Sequence, residues 1–429
     1  MTGTKIKVFK FGGASVKDAA SVKNAIEILK GFKGEKLLVV ISAMGKTTNA
    51  LEIVVNDYFF SKGNAHAALK DVREYHQQIM EELFSGKANP VFDKVNNFFV
   101  EADWMLDEKP QHTYNFVYDQ IVSLGELIST CIVGAYLEQQ GCSNIWLDVR
   151  DVLMTDNTYR EAKVDWQKSE MLVQKQVVPA FSGVDVVITQ GFIGGTSENY
   201  TTTLGREGSD YSAAIFAYLL NAEAMYIWKD VPGILNADPK FYKDAQKLDQ
   251  ISYHDAIELA YYGATVIHPK TIKPLENKNI PLFVKSFLKP EANGTTIRTN
   301  VQTKPMIPSY IFKKNQVLIS ISAKDFSFIA EDNLSRIFAL FAGHGVKIHL
   351  MQNSAISFSV CVDNDNFKIP ALIEALQKDF KIRYNEDLML YTIRHYYQNT
   401  IDTITSGKEI LLEQRSRNTA QFVLRDSIK

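Results

Sequence analysis

The stretch from Thr189 to Ile234 constrains the fold of this chain most, because its elements alternate in the order a layered α/β architecture requires. It is entered from an apolar strand beginning at Val186 and passes through a Gly- and Thr-rich loop to Gly208-Ser209-Asp210, which opens a helix. In that helix Ala213, Ala214, Phe216, Ala217 and Leu220 fall at helical spacing. Met225 to Trp228 is the next strand, ending on Lys229-Asp230 with Pro232-Gly233 as a turn. The order predicts an αβα arrangement in which strand C-termini and a helix N-terminus face one crevice. Such a crevice suits phosphate, since the amides of Gly208 and Ser209 stand where a helix has unpaired donors and partial positive charge. Arg206 adds a planar cation just before them, and Asp210 is placed to hold magnesium against phosphate oxygens. Ser209 and Asp210 also read as ordinary helix caps, so the functional reading needs the rest of the chain.

The N-terminal part supplies it. Lys5 to Phe11 alternates as a strand and runs into Gly12-Gly13-Ala14-Ser15, with a helix from about Asp18 to Phe32. Two glycines after a strand make either a plain turn or a place where amides approach a polyphosphate, with Lys10 reaching the bridging region. No GxxxxGK[ST] loop occurs; Gly45-Lys46-Thr47 has Val40 where that motif needs its first glycine. Lys36 to Ile41 is an apolar strand of the kind covered on both faces. Its end carries Ser42 and Thr48, which serve equally as turn and capping residues. Leu51 to Glu138 reads as long helical pieces with breaks near Gly86 to Pro90 and Glu108 to Gln111. Glu126 lies among Leu and Ile there, so either it is on an exposed face or a cation meets it. Ser143 to Val149 is a strand, and Met154 to Val178 reads as polar and irregular.

Beyond Pro232, Asp238-Pro239 makes a turn, Tyr253 to Tyr262 a helix, and Pro281 to Lys285 a closing strand. His268 before Pro269 reads as a capping histidine rather than a base. Polar composition near Asn300 to Pro308 marks a boundary. From Gln316 the order becomes strand, helix (Asp332 to Ala342), two strands, helix (Ile369 to Lys378) and a strand near Leu388 to Ile393. That β-α-β-β-α-β order is ferredoxin-like, with a shorter echo at Ile410 to Gln414 and Gln421 to Leu424. Asp363-Asn364-Asp365 lacks the Gly and Glu of a calcium loop and reads as a turn.

The 429 residues are enough for two or three domains. The 47 basic and 49 acidic side chains leave no overall field for nucleic acid or membrane. Three scattered cysteines, Cys131, Cys142 and Cys361, point to a reduced compartment. With charge in the N-terminal segment and no run of 18 apolar residues, a cytoplasmic protein is expected.

Taken together, KFGGASV, SAMGKTTN, SLGE, TQGFIG, TTTLGREGSDYSAA, WKDVPGI, NADPK and GATVIHP, in this order and followed by a pair of ACT-like modules, resemble the aspartokinases of the amino-acid kinase family. The resemblance covers the chain nearly end to end and is to monofunctional members. It implies an α/β fold: an amino-acid-kinase-like αβα sandwich at 1–300, a first ACT regulatory module at 301–383 and a short second one at 384–429. It implies transfer of the γ-phosphoryl of MgATP to the β-carboxylate of L-aspartate, the first step toward lysine, threonine and methionine. Lys10, with Gly12 and Gly13, would stabilise the transferring group, and Asp210, beside Ser209, would organise Mg2+ and phosphates. Thr48, Glu126 and Arg206 match aspartate-binding positions, with Arg206 on the α-carboxylate and Glu126 on the α-ammonium, while Ser42 and Phe192 line the same pocket. Lys229, Asp230, Leu235 and Lys240 match nucleotide-side positions. An ionised β-carboxylate has no proton to lose, so no general base is expected.

Some residues depart from the family pattern. Lys229 replaces a threonine, Leu235 a tyrosine and Thr265 a lysine, and Lys229 is expected to supply the charge missing at Thr265. His349 and Ala355 stand where lysine-sensitive relatives carry acidic residues, so threonine is the more plausible effector. Dimerisation through the ACT modules is expected from their sheet edges. Two other functions remain open: another amino-acid kinase, for example one acting on glutamate, and a catalytically inactive ACT regulatory protein.

Overall fold

The computed structural model of the chain describes residues 5–264, 267–299, 301, 306–325 and 327–426. They form two compact units, one from the described residues of Met1–Ile234, Asp249–Ile257 and Val266–Gln302, the other from those of Leu235–Leu248, Glu258–Thr265 and Thr303–Lys429. The boundary read near Asn300 to Pro308 falls largely outside the described residues.

In chain order the first stretch comprises β1 (Ile6–Phe11), α1 (Ala19–Lys30), β2 (Lys36–Ile41), α2 (Thr47–Phe60), α3 (Ala65–Phe84), α4 (Val91–Asp107), α5 (Tyr114–Val122), α6 (Leu124–Gln139) and β3 (Asn144–Leu147). Then come α7 (Trp166–Leu172), α8 (Val178–Ala180), β4 (Val186–Gln190), β5 (Ile193–Gly195), β6 (Thr201–Thr203), α9 (Gly208–Leu219) and β7 (Ala224–Lys229). β8 (Gln250–Ser252), α10 (Tyr253–Tyr262), α11 (Pro269–Lys278), β9 (Leu282–Ser286) and β10 (Thr295–Arg298) follow.

Eight strands make one sheet, ordered β3-β4-β2-β1-β7-β9-β10-β8. Every pair from β3 to β9 is parallel, which explains why β2 and β4 read as unbroken apolar runs: both faces are covered and almost every side chain is buried. β1 has β2 on one side and β7 on the other, so the strand order reverses at β1 and a crevice opens beyond its C-terminal end. Lys10 and Lys229 lie at the ends of these two neighbours. α9 also packs on β1, which brings Asp210 to the same edge.

Sequence periodicity missed some local structure. The helical region breaks once more at Ser61, in the left-handed conformation after α2, and Asn64 caps α3 by accepting from the Ala67 amide. The segment expected to be irregular is helical from Trp166 to Ala180, capped by Asp165 and passing through a π turn at Val173–Val177. Its polar outer face hides the pattern, since only Ser169, Val173 and Val177 are buried. Among the described residues one helical run, Tyr114–Gln139, is long and apolar enough to cross a bilayer, but its apolar window is 89% buried inside the protein. It is the core helix pair α5–α6.

The second unit contains β11 (Ser309–Ala323), α12 (Glu331–Gly343), β12 (Ile348–Asn353), β13 (Ser357–Asp363), α13 (Lys368–Gln377), β14 (Phe380–Arg394), α14 (Gln398–Thr405), β15 (Lys408–Arg415) and β16 (Thr419–Asp426). They form one antiparallel sheet, β12-β13-β11-β14-β16-β15. The strand expected near Leu388 starts eight residues earlier, at Phe380, because its charged first half is paired along one side only. β11 and β14 each have 15 residues and shift register between Lys313 and Gln316. Their C-terminal and N-terminal halves, respectively, complete the β-α-β-β-α-β pattern with α12 and α13, and their other halves pair beside β16 and α14. Val317, Ile319 and Ile321 pack under α12 and α13, while Leu318 faces Leu388, Leu412 and Val423 on the opposite side. The Asp363–Asp365 turn is structural: Asp363 accepts from Gln316 and Asp365 from the amides of Phe367 and Lys368.

Candidate active site

The crevice beyond β1 is a cavity of ≈ 940 Å³ whose lining includes Lys10, Gly13, Ser42, Thr48, Glu126, Phe192, Arg206, Ser209, Asp210 and Lys229. Residues up to 219 positions apart in sequence thus share one wall, because β1, β2, α6, α9 and β7 all end or begin there.

Charge is concentrated on one side. Lys10 Nζ lies 2.6 Å from Asp210 Oδ1, and Lys229 Nζ lies 3.4 Å from Oδ2. Burial alone would raise the Asp210 carboxyl, but the two ammonium groups hold it below the usual carboxylate range. Oδ1 makes its ion pair at an angle outside hydrogen-bond geometry, so the carboxylate is held by charge more than by direction. The Gly208 amide donates back to the Gly205 carbonyl at 3.0 Å. Contrary to the sequence reading, that amide is therefore not an open donor; those of Ser209 and Asp210 have no acceptor among the described residues.

The glycine loop is also held by close packing. A Cβ on Gly13 would lie 2.7 Å from the Ala43 carbonyl and 2.8 Å from that of Gly45. Glycine is needed because the loop after β2 presses on it, and the Gly45 amide donates to the Gly13 carbonyl. Gly12 faces the Lys10 ammonium, which would be 3.4 Å from a Cβ there. The two loops are supported from α3, where the Tyr75 hydroxyl donates to the Lys17 carbonyl and buried His76 stands 3.4 Å from Thr47 Oγ1. Burial depresses the His76 imidazole to about 4, so it is neutral, with Nδ1–H donating to Val72 O.

Opposite lies Glu126, in the first turn of α6 and 2% exposed. Oε1 accepts from the Ala43 amide at 3.2 Å, while Oε2 is buried without a partner. Burial pushes the carboxyl up to about 8, against the opposing pull of the Ala43 amide and Lys10. The exposed-face alternative is thereby excluded. Arg206 is exposed, and its guanidinium has no partner among the described residues. Phe192 adopts φ 69° and Glu207, which precedes α9, φ 54°, so the lining carries backbone strain of the kind functional sites retain.

Not every expected residue meets this cavity. Asp230 is exposed next to Lys229 and is not part of the lining. Leu235 and Lys240 belong to the second unit, where Leu235 bridges Lys247 and the Lys240 amide donates to Asp238 Oδ1 at 2.9 Å. Thr265 lies outside the described residues. His268 caps α11 by accepting from the Lys270 amide at 3.2 Å. Sequence reading missed Tyr118, Arg160 and the buried Asp119 that holds the Arg160 amide; an aspartate in an apolar helix was the available signal, as it was for Glu126.

Residues 5–286 match the amino acid kinase family. The chain is 30% identical to lysine-sensitive aspartokinase 3 of Escherichia coli strain K12 over 397 residues, covering 91% of this chain and 87% of that one. It is 30% identical to the chloroplastic aspartokinase 1 of Arabidopsis thaliana over 365 residues, covering 83% and 63%. The crystal structure of E. coli aspartokinase III with lysine and aspartate superposes with a TM-score of 0.83 at 28% identity, covering 97% of this chain and 95% of that one. The same enzyme with aspartate and ADP gives 0.82 at 27%, covering 98% and 96%. The chain belongs to the amino acid kinase family and, within it, to the aspartokinases.

Proposed function

We propose that the cavity transfers the γ-phosphoryl group of ATP to the β-carboxylate of L-aspartate, with Lys10 and Asp210 as the catalytic pair. The observation that carries this reading is the division of charge: two lysines around Asp210 on one wall and a buried carboxylate with a free oxygen, Glu126, on the other. Lys10 and the open amides of α9 neutralise charge on the phosphoryl group in flight. Lys229 and Asp230 are assigned to the nucleotide side, and Gly12, Gly13 and Ser209 to its phosphates; Leu235 and Lys240 are nucleotide-side proposals from the family resemblance alone. Glu126 takes the substrate ammonium, Arg206 the α-carboxylate, and Ser42, Thr48 and Phe192 shape the pocket. The nucleophile is already ionised, so the site needs position and charge rather than a base, in keeping with a neutral His76 that is not part of the lining.

Among the described residues no cluster of three metal-ligating side chains occurs. Asp210 suits a magnesium ion that arrives on the nucleotide and takes most of its ligands from phosphates and water. When bound, that ion would add positive charge between the phosphates; this chain's part is the single carboxylate and the lysines around it.

Regulation is assigned to the second unit, with threonine a better effector than lysine. His349 Nε2 is 2.8 Å from Asp363 Oδ2, and Nδ1 is 3.2 Å from Lys313 Nζ. Burial, aided by Lys313, holds this imidazole below its ordinary range even beside Asp363, so the ring is neutral and the Lys313 ammonium offsets the Asp363 carboxylate, which leaves a cationic ligand no surplus negative charge there. The edge strands β12 and β15 are proposed to pair copies into a dimer or larger assembly, and the protein to work in the cytoplasm.

Trapping the acyl phosphate with hydroxylamine tests the assignment. Aspartate should outperform glutamate by at least about tenfold, because one extra methylene misplaces the reacting carboxylate. Equal turnover of both, or none with aspartate, would refute it.

A further inference from the structure

A second arginine, outside the motifs that define the family resemblance, lines the cavity. Arg160 lines it and has φ 69°, a left-handed conformation that L side chains seldom adopt. Its amide donates to Asp119 Oδ2 at 2.9 Å. The same carboxylate accepts the Thr203 amide and the Thr203 hydroxyl, each at 2.8 Å. Asp119 is fully buried on α5, and Thr203 ends β6 three residues before Arg206. Between them, Gly205 lies so close that a Cβ there would be 3.1 Å from the Arg160 carbonyl. One buried carboxylate therefore fixes both the turn bearing Arg160 and the strand end leading to Arg206.

The guanidinium of Arg160 sits 4.3 Å over the ring of Tyr118, which also lines the cavity. Its ion-pair partner, Glu52, is 3.9 Å away with both side chains 41% exposed, so that pair is loose and solvent-screened and holds the guanidinium weakly. An exposed Arg206 alone is a loose carboxylate receptor. A second arginine, with its backbone pinned and its head stacked on an aromatic ring, is already organised for one.

We propose that Arg160 is a specificity-determining residue that reads the α-carboxylate of the acceptor together with Arg206, and that Asp119 is the positioning residue for both. The proposal rests on the aspartate reading of the cavity. In an acceptor with two carboxylates, one must face Lys10 and Asp210 and the other the opposite wall. Two guanidiniums there would admit acceptors carrying that second carboxylate and reject those lacking it.

The test compares L-aspartate with its α-amide, which keeps the β-carboxylate and the ammonium, in wild type, Arg160→Gly, Arg160→Lys and Asp119→Asn. Glycine accepts the left-handed turn, so Arg160→Gly removes the cation and preserves the backbone. It should raise the aspartate KM at least about tenfold with kcat within about threefold, and shrink the preference for aspartate over the α-amide. Arg160→Lys should recover part of that preference. Asp119→Asn should also lower it, which a loss of stability alone would not do. An aspartate KM in Arg160→Gly within about twofold of wild type, or an unchanged preference, overturns the proposal. Absence of aspartate turnover in the wild type overturns the underlying reading as well, so the two failures are distinguishable.

Discussion

Asp210 and Glu126 are both carboxylates buried in the same cavity, 4% and 2% exposed, and their surroundings push them in opposite directions. Two ammonium groups hold Asp210 ionised and below its usual range, whereas Glu126 meets one amide and rises to about 8. Burial costs a charge in both places; the difference is whether the protein itself brings the counter-charge. On the Asp210 wall the lysines are built in, ready for a polyanion. On the Glu126 wall the protein builds in no such counter-charge, which is why the proposed reading gives this carboxyl to the substrate ammonium.

The largest effect should come from breaking the first wall. Lys10→Ala is expected to lower kcat by about 10³-fold or more while the circular dichroism spectrum stays native, and Asp210→Ala to do the same. Turnover near the wild-type rate in either would remove the assignment. Next comes Glu126→Gln, which removes the group that would ionise to match the substrate ammonium. It should cost about 3 kcal/mol of aspartate binding, roughly a hundredfold in KM, with kcat less affected. Because Glu126 is protonated below about 8 in the empty cavity, aspartate binding should release a proton and weaken as pH falls below that value. Calorimetry in buffers of different ionisation enthalpy would detect it, and the proton release should vanish in Glu126→Gln. The same group makes the folded state bind more protons than the unfolded one, so its contribution to stability falls as pH rises from the ordinary carboxylate range toward 8.

Smaller effects sharpen the comparison. Arg206→Lys keeps the charge but loses the fork, and should weaken aspartate binding by about 1.5–3 kcal/mol; an unchanged KM would contradict its role. Lysine added to the assay should change the rate by less than about twofold, since Lys313 and a neutral His349 face a cationic ligand poorly. Strong inhibition at low lysine concentration would show that another carboxylate receives it.

Local chemistry made some features legible. Apolar strands beside Gly12-Gly13 and after Val186, and the helix opening at Gly208, follow from periodicity and turn residues, and the structure places them at one sheet edge. The Trp166–Ala180 helix was hidden because few of its side chains are buried, and the first half of β14 because its outward residues are charged. Arg160 was hidden because its importance depends on a hydrogen bond to Asp119, 41 positions away.

The sequence by itself determined most of the elements, their order, and the supply of cations and carboxylates, because those depend on side-chain pattern within a few residues. Tertiary structure decided what each charge means. Asp210 is an ion-paired anion only because β1 and β7 end beside α9, and Glu126 is a raised, half-satisfied acid only because the β2 loop closes over α6. A group's ionisation depends on the water it loses and the charges it gains, and both are set by residues that meet only when the chain is folded.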